Sequence, residues 1–256
     1  DALSRPGESI DYAVRLFNSA GQLIGEADNA EFTVDGNASF GEDGVRTLSA
    51  DAAHVVANIT VTVGDLTGSA RVRIVPDLPW NFSFDELTDP PITWVGARYR
   101  HVIREVDGSK AMVKITTIPK GTRSRCWFGH SNLSNYTIQA DVKGTITNDK
   151  MPDIGLIAQG YTLDLQGNGQ KLQIRTWGPQ LRMAETLDYQ WQPDTWYTLK
   201  FQASVEDGNA VLRGKIWVKG EAEPDAWTLE AVDDVPVTQG SPGLFGNAKD
   251  AELYLD

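Results

Sequence analysis

The chain has 256 residues, 41% apolar and 23% charged, the composition of a soluble globular protein with one large domain or two smaller ones. Its net charge of −12 argues against nucleic acid, and no apolar run approaches the roughly 18 residues of a transmembrane helix, which excludes membrane insertion through one. The single cysteine, Cys126, rules out an intrachain disulfide, and it forms no zinc-ligand spacing with His54, His101 or His130.

Taken in chain order, the sequence is full of two-residue alternation. In "SIDYAVRLF", Ile10, Tyr12, Val14 and Leu16 share one face while Asp11, Ala13 and Arg15 share the other. "SAGQ" reads as a turn, "LIGEA" and "AEFTV" as strands, and "NITVTV" and "SARVRIV" as two more strands joined by "GDLTG". This pattern predicts a small immunoglobulin-like β-sandwich over residues 1–76. "PDLPW" then interrupts it, and 77–80 reads as a stiff linker.

From residue 81 to 256 the strands lengthen and the aromatic content rises. "AMVKITTI", "TRSRCWF", "YTIQADVKG", "DIGLIAQ", "YTLDLQ", "KLQIRTW", "WYTLKFQASVE", "AVLRGKIWVKG" and "AELYLD" are all strands in this reading, with "QGNGQ" and "EDGN" as hairpin turns. The fold class predicted for this part is an antiparallel all-β jelly roll.

A cation stands two residues before a tryptophan on three of these strands: Arg125 and Trp127, Arg175 and Trp177, Lys215 and Trp217. Alternation places Arg123, Arg125 and Trp127 opposite Cys126, which is read as a small buried apolar residue. It likewise puts Arg175 and Trp177 opposite Ile174, and Arg213, Lys215 and Trp217 opposite Ile216. If the three strands are neighbours, they form an aromatic and basic platform that "GARYRH" (Arg98 to His101) and Arg182 extend. An indole stacks on the apolar face of a pyranose, and guanidinium groups bind hydroxyls, carboxylates or sulfates. The plainer reading is the polar side of an ordinary sheet with structural Arg–Trp contacts. Trp94, Trp191, Trp196 and Trp227 sit near turns or prolines and are read as loop packing.

Catalysis is not expected. Glu26, Asp28 and Glu31 have the spacing of a laminarinase-type motif but fall in a turn-rich segment of the first domain, and Asp141 and Asp164 read as isolated, solvated acids. No nucleophile elbow, zinc helix or phosphate loop occurs.

The segments "FSFDE", "PPITWVGARYRHVIREVDGSKAMVKI", "PDIGLIAQ" and "GSPGLFGNAKDAELYLD" resemble a concanavalin A-like, laminin-G-type jelly roll. "PGESIDYAVRLFNSAGQLIG" with "LTGSARVRIVP" resembles a bacterial immunoglobulin-like domain. In this order the two resemble the C-terminal region of bacterial propeller-repeat proteins of pyrroloquinoline-quinone-enzyme-like type, best represented in planctomycetes. The resemblance implies an extracytoplasmic piece of a larger protein with a non-enzymatic accessory role, and no quinone cofactor, since no propeller blades are present. The aromatic and basic platform points to polysaccharide as a partner; docking against the parent β-propeller or another envelope protein is the second reading, and an unrecognised sugar-processing enzyme the third. The resemblance also implies calcium where the first and last strands meet, which by sequence points to Asp85, Glu86 and Asp256; simple surface acids are the competing reading.

Overall fold

The computed structural model describes residues 1–40, 46–48, 54–115, 122–176 and 181–256. Among them there is no helix, and so none long and apolar enough to cross a membrane. The fold is all-β, as the alternation predicts. Two compact units divide the chain, Asp1–Asn81 and Phe82–Asp256.

The first unit runs through β1 (Ala2–Ser4), β2 (Ser9–Ile10), β3 (Arg15–Phe17), β4 (Leu23–Glu26), β5 (Glu31–Gly36), β6 (Ala38–Phe40), β7 (Arg46–Leu48), β8 (Val55–Val63) and β9 (Leu66–Ile74). Its sheets have the orders β1-β9-β8-β5, β2-β7-β6 and β3-β4. Leu48, Ala57, Ile59, Val72 and Ile74 form its core, with Ile10, Tyr12, Phe32, Val34 and Phe40 packed against them. The expected long strand "SIDYAVRLF" keeps its alternating burial but is broken, with β2 pairing β7 and β3 pairing β4. Residues 77–80, expected as a linker, belong to this unit. Trp80 Nε1 donates to the carbonyls of Pro76 and Asp77, and its ring meets His54 edge-on at 5.0 Å.

The second unit is a two-sheet sandwich of jelly-roll type. Its strands are β10 (His101–Val106), β11 (Ser109–Lys114), β12 (Arg123–Trp127), β13 (Tyr136–Gly144), β14 (Asp153–Ala158), β15 (Tyr161–Gln166), β16 (Lys171–Thr176), β17 (Ala184–Asp188), β18 (Tyr197–Glu206), β19 (Asn209–Val218), β20 (Leu229–Asp233), β21 (Gly243–Asn247) and β22 (Leu253–Leu255). One sheet has the order β10-β11-β22-β13-β18-β19-β20 and the other β12-β21-β14-β15-β16-β17. Local chemistry sets the hairpins. Asp107-Gly108, Gln159-Gly160 and Asp207-Gly208 all hold positive φ at both positions, the turn whose twist matches the flanking strands.

Between the sheets lie fully buried side chains on alternate positions: Ile154, Leu156, Leu163 and Leu165 from one, Leu199, Phe201, Ala203 and Leu212 from the other. Gly214 admits Leu163 from the facing sheet, because a Cβ there would stand 2.6 Å from Leu163 Cδ1. Lys114 adds a charged group to this buried layer. It is wholly buried and its Nζ donates to the carbonyl of Ala248.

Trp191, 1% exposed, closes one end of the sandwich. Its Nε1 donates to Gln166 O at 3.1 Å and its ring lies over Gly144. A Cβ at Gly144 would sit 2.8 Å from Trp191 Cη2 and 2.7 Å from Pro152 Cγ, both parts of rigid rings. Gly144→Ala is therefore expected to destabilise the second unit by about 1–3 kcal/mol through overpacking. Urea unfolding followed by tryptophan fluorescence checks this; an unchanged midpoint would show that the rings yield at no cost.

Candidate functional site

In β12 the alternation of "RSRCW" resolves as read: Ser124 and Cys126 are buried, Arg125 and Trp127 are half-buried on the outer face, and Arg123 is exposed there. Burial pushes the Cys126 thiol up to about 12, so it packs as an apolar group. Trp127 is held from both sides of its strand. Its N–H donates to Val95 O at 3.0 Å and its carbonyl accepts from Val95 N at 2.8 Å. That approach requires glycine at 96, where φ is +79° and a Cβ would be 2.6 Å from Arg125 O. The neighbouring Trp94 ring stacks on Phe128 at 4.3 Å and anchors the segment in apolar surroundings. On the other side, Gly243 of β21 lies under the Trp127 ring, since a Cβ there would meet Cε3 at 2.9 Å. The indole thus lies against bare backbone.

The pairing carries this face across the sheet in two rows. One row is Trp127, Gly243, Ile157, Thr162 and Arg175; the other is Arg125, Phe245, Gly155, Asp164 and Gln173. Four strand spacings, roughly 19 Å, separate the backbones of β12 and β16. Long side chains close much of that gap. Arg175 Nη2 donates to Asp164 Oδ2 at 2.8 Å, and its Cζ stands 5.7 Å from the centroid of Phe245, the cross-strand partner of Arg125. Phe245 and Thr162 close in over Gly155, where a Cβ would stand 3.2 Å from Phe245 Cδ1 and from Thr162 Cγ2. Arg125 is held below the ordinary guanidinium value by burial first, then by Arg123 and Arg175.

Asp164 is the residue that the sequence most misrepresents. Read as isolated and solvated, it is 2% exposed, and its Oδ1 has no hydrogen-bond partner. Thr162 Oγ1, in the adjoining row, is buried in the same way. Burial pushes the Asp164 carboxyl up to about 7, with the nearby Asp153 adding to the rise and Arg175 opposing it. Two carboxylates therefore share this face, Asp153 from β14 and Asp164 from β15. Asp153 accepts from Gly167 N and Asn247 Nδ2 through its two oxygens, at 3.0 Å each. Only the strand register creates the pair, so no single-strand pattern signals it.

Several other expected site residues are placed elsewhere. β19 belongs to the seven-stranded sheet, so Arg213, Lys215 and Trp217 do not share a face with Trp127. Arg213 is paired with Glu206 at 2.8 Å and Glu230 at 3.3 Å. Lys215 donates to Glu223 and to Pro224 O and sits 4.8 Å over the Trp227 ring. Arg182 makes a two-pronged pair with the buried Asp233, 2.8 Å on each arm, to which Tyr161 also donates at 2.6 Å. Trp177 lies outside the described residues. Of "GARYRH", Arg98 donates to Pro90 O, Arg100 reaches Arg123 O at 2.6 Å, Tyr99 is exposed, and His101 is buried with Nδ1 at 2.9 Å from Ala97 O.

The calcium set does not fit a cation. Asp85 accepts from Ser83, Ser109 and the backbone N–H of Lys110, Asp256 pairs with Lys219, and Glu86 is exposed. Among the described residues no three His, Cys, Asp or Glu side chains are grouped to hold a metal. Glu26, Asp28 and Glu31 are exposed along β4, a turn and β5, and Glu26 pairs with Arg15 at 3.7 Å.

No family model and no curated protein matches the chain. Among solved structures it is similar to a sialidase at 10% identity and TM-score 0.44, covering 79% of this chain and 20% of that one. It is also similar to the Caenorhabditis elegans galectin LEC-6 at 11% identity and TM-score 0.34, covering 56% of this chain and 95% of that one. The chain thus spans a fifth of the sialidase's length.

The Asp164 environment has a consequence for pH. An unfolded aspartate ionises near 4, whereas this one holds its proton to about 7. Between those values the folded state binds the extra proton, so its stability contribution is complete below about 4 and declines as pH rises toward 7. Relative to Asp164→Asn, the wild type should lose stability over that window, by at most about 1.4 kcal/mol per pH unit, and stay level on either side. Paired thermal melts from pH 3 to 9 check this; a rising difference would mean that Arg175 keeps the carboxylate ionised throughout.

Proposed function

We propose that the chain is a non-catalytic, extracytoplasmic binding module whose second unit takes a carbohydrate on the outer face of its six-stranded sheet. The observation that carries this reading is Trp127, a half-buried indole laid over the bare backbone of Gly243, with Arg125 two residues away on the same face. A pyranose presents an apolar face of axial C–H groups and a rim of hydroxyls. Trp127 suits the first, and Arg125, Gln173 and Arg175 suit the second. The same aromatic surface with no donors beside it would favour a lipid or an apolar peptide instead.

On this reading the first unit is an immunoglobulin-like spacer in a longer bacterial protein that carries a β-propeller. A protein-docking role is the second reading. The observation favouring it is the exposed apolar set Leu181, Leu187, Val232 and Val235, which falls around β17 and β20, strands that approach one another at the edges of the two sheets. A sugar-processing role is disfavoured because Asp164 is almost fully covered and both oxygens of Asp153 are already engaged.

Titration with a panel of neutral, uronic and sulfated polysaccharides, followed by tryptophan fluorescence and calorimetry, tests the proposal. Trp127→Ala should weaken binding by about 2 kcal/mol, roughly thirtyfold, the usual loss for a stacked aromatic anchor. Trp217→Ala, on the other sheet, should bind as the wild type does. Equal losses in the two variants, or silence across the panel, would abandon this face for the docking reading.

A further inference from the structure

The six-stranded sheet closes one of its edges and leaves the other open. At β12, Val95 bonds to Trp127 through both backbone groups. At β17 no described strand lies beyond, and every residue from Ala184 to Asp188 is exposed. Thr176 N donates to Met183 O and Tyr189 N to Gln170 O, so the odd-numbered residues turn their backbone groups toward β16. Alternation then turns the N–H and C=O groups of Ala184, Thr186 and Asp188 outward. Such a row is a template for another strand, and natural edges are usually blunted by proline, lysine, a bulge or a covering segment. The sequence "AETLD" has no proline or lysine, and it pairs with β16 without a bulge.

The side chains define the strand that fits. Glu185 and Leu187 stand on the core side, opposite the buried Ile174 and Leu172, while Ala184, Thr186 and Asp188 stand on the outer side. Leu187 and, just after β20, Val235 are exposed, so the apolar layer is unfinished at this edge. Glu185, Asp188 and the adjoining Asp234 are also exposed, and they make no ion pair among the described residues. Glu206, Glu223 and Glu230 on the other sheet are by contrast each matched to a lysine or arginine. The cations nearby are Arg182, engaged by Asp233, and Lys171, the β16 partner of Asp188. A second copy fits poorly. Two β17 strands paired about Thr186 would set their Glu185 side chains diagonally across one face, between chains that each carry a net charge of −12. The same field attracts a cationic segment.

We propose that β17 takes an extended, basic segment of a partner protein as an added strand. Its backbone would bond to Ala184, Thr186 and Asp188, its apolar side chains would continue the layer beside Leu187, and its lysines or arginines would lie on the Asp188 side. This rests on the docking reading above, for which it supplies the partner's chemistry, and is independent of the carbohydrate face. Backbone bonds give such an addition its affinity and the alternate side chains its selectivity.

The test is fluorescence anisotropy on the intact chain with a labelled, capped peptide of about eight residues that alternates valine and lysine. Its companions are the same sequence N-methylated along the backbone and a valine–glutamate peptide. The lysine peptide should bind about tenfold or more tighter than either companion, and its lead over the glutamate peptide should shrink as salt is raised. Thr186→Pro removes an outward N–H and spares the bonds to β16, so it should weaken the lysine peptide by about tenfold, with circular dichroism confirming the fold. Asp188→Lys, which leaves the backbone intact, should narrow the gap between the lysine and glutamate peptides. Equal binding of the N-methylated peptide, or full binding by Thr186→Pro, would overturn strand addition and leave the docking reading standing. Equal binding of the glutamate peptide would overturn the basic partner. No binding by any of the three would overturn both the inference and the docking reading.

Discussion

The site depends on one pairing: β21, near the end of the chain, inserts between β12 and β14 and bonds to both. That insertion sets Phe245 opposite Arg125 and slides Gly243 beneath Trp127. A shift of one residue in β21 would turn Phe245 inward and replace the smooth backbone under the indole with a side chain. The register is fixed because the alternate residue, Leu244, must enter the core beside Cys126 and Leu156, all of which are almost or wholly buried. Phe245 and Ile157, on the opposite side, are buried as well, so both sides of the sheet hold this register. Leu163, received by Gly214 of the facing sheet, ties that register to the packing of the whole sandwich.

Electrostatics then tie individual cations to the fold. Arg182 is spent on Asp233, which is 3% exposed and would be a costly orphan without its partner. Around β18 and β19 the lysines and Arg213 are neutralised by glutamates, pairs that contribute little individually at half-exposed positions. Lys143 is similarly absorbed: it pairs with Asp107 and sits over the Trp196 and Tyr254 rings, at 5.0 and 4.8 Å. These networks explain why the Arg-to-Trp spacing, so alike in the sequence, has different meanings on different strands. The spacing is local, whereas neutralisation depends on which loop folds across.

Much of the architecture was legible because β-structure writes a two-residue period into the chain. The all-β class, the inward and outward sides of β12 and β16, the buried Cys126 and the turns at Asp207-Gly208 and around Gly167 all follow from local rules. Half of the candidate site was legible for the same reason: Arg125, Trp127 and Arg175 do project from the core on one sheet. Less was legible where a segment changes partners. "SIDYAVRLF" has one continuous alternation, yet its two ends pair with different strands.

Tertiary structure alone decided which strands became neighbours. It moved Arg213, Lys215 and Trp217 to the other sheet, engaged Arg182 with Asp233, and separated Asp85 from Asp256 in their bonding. It also made Asp164 a buried acid beside Arg175 and Asp153, and gave Phe245 and Gly243, unremarked in the sequence, their places under the site. The physical reason is that side-chain direction is a property of one strand and its alternation. Strand order is a property of the whole core, set by burial among residues far apart in the chain.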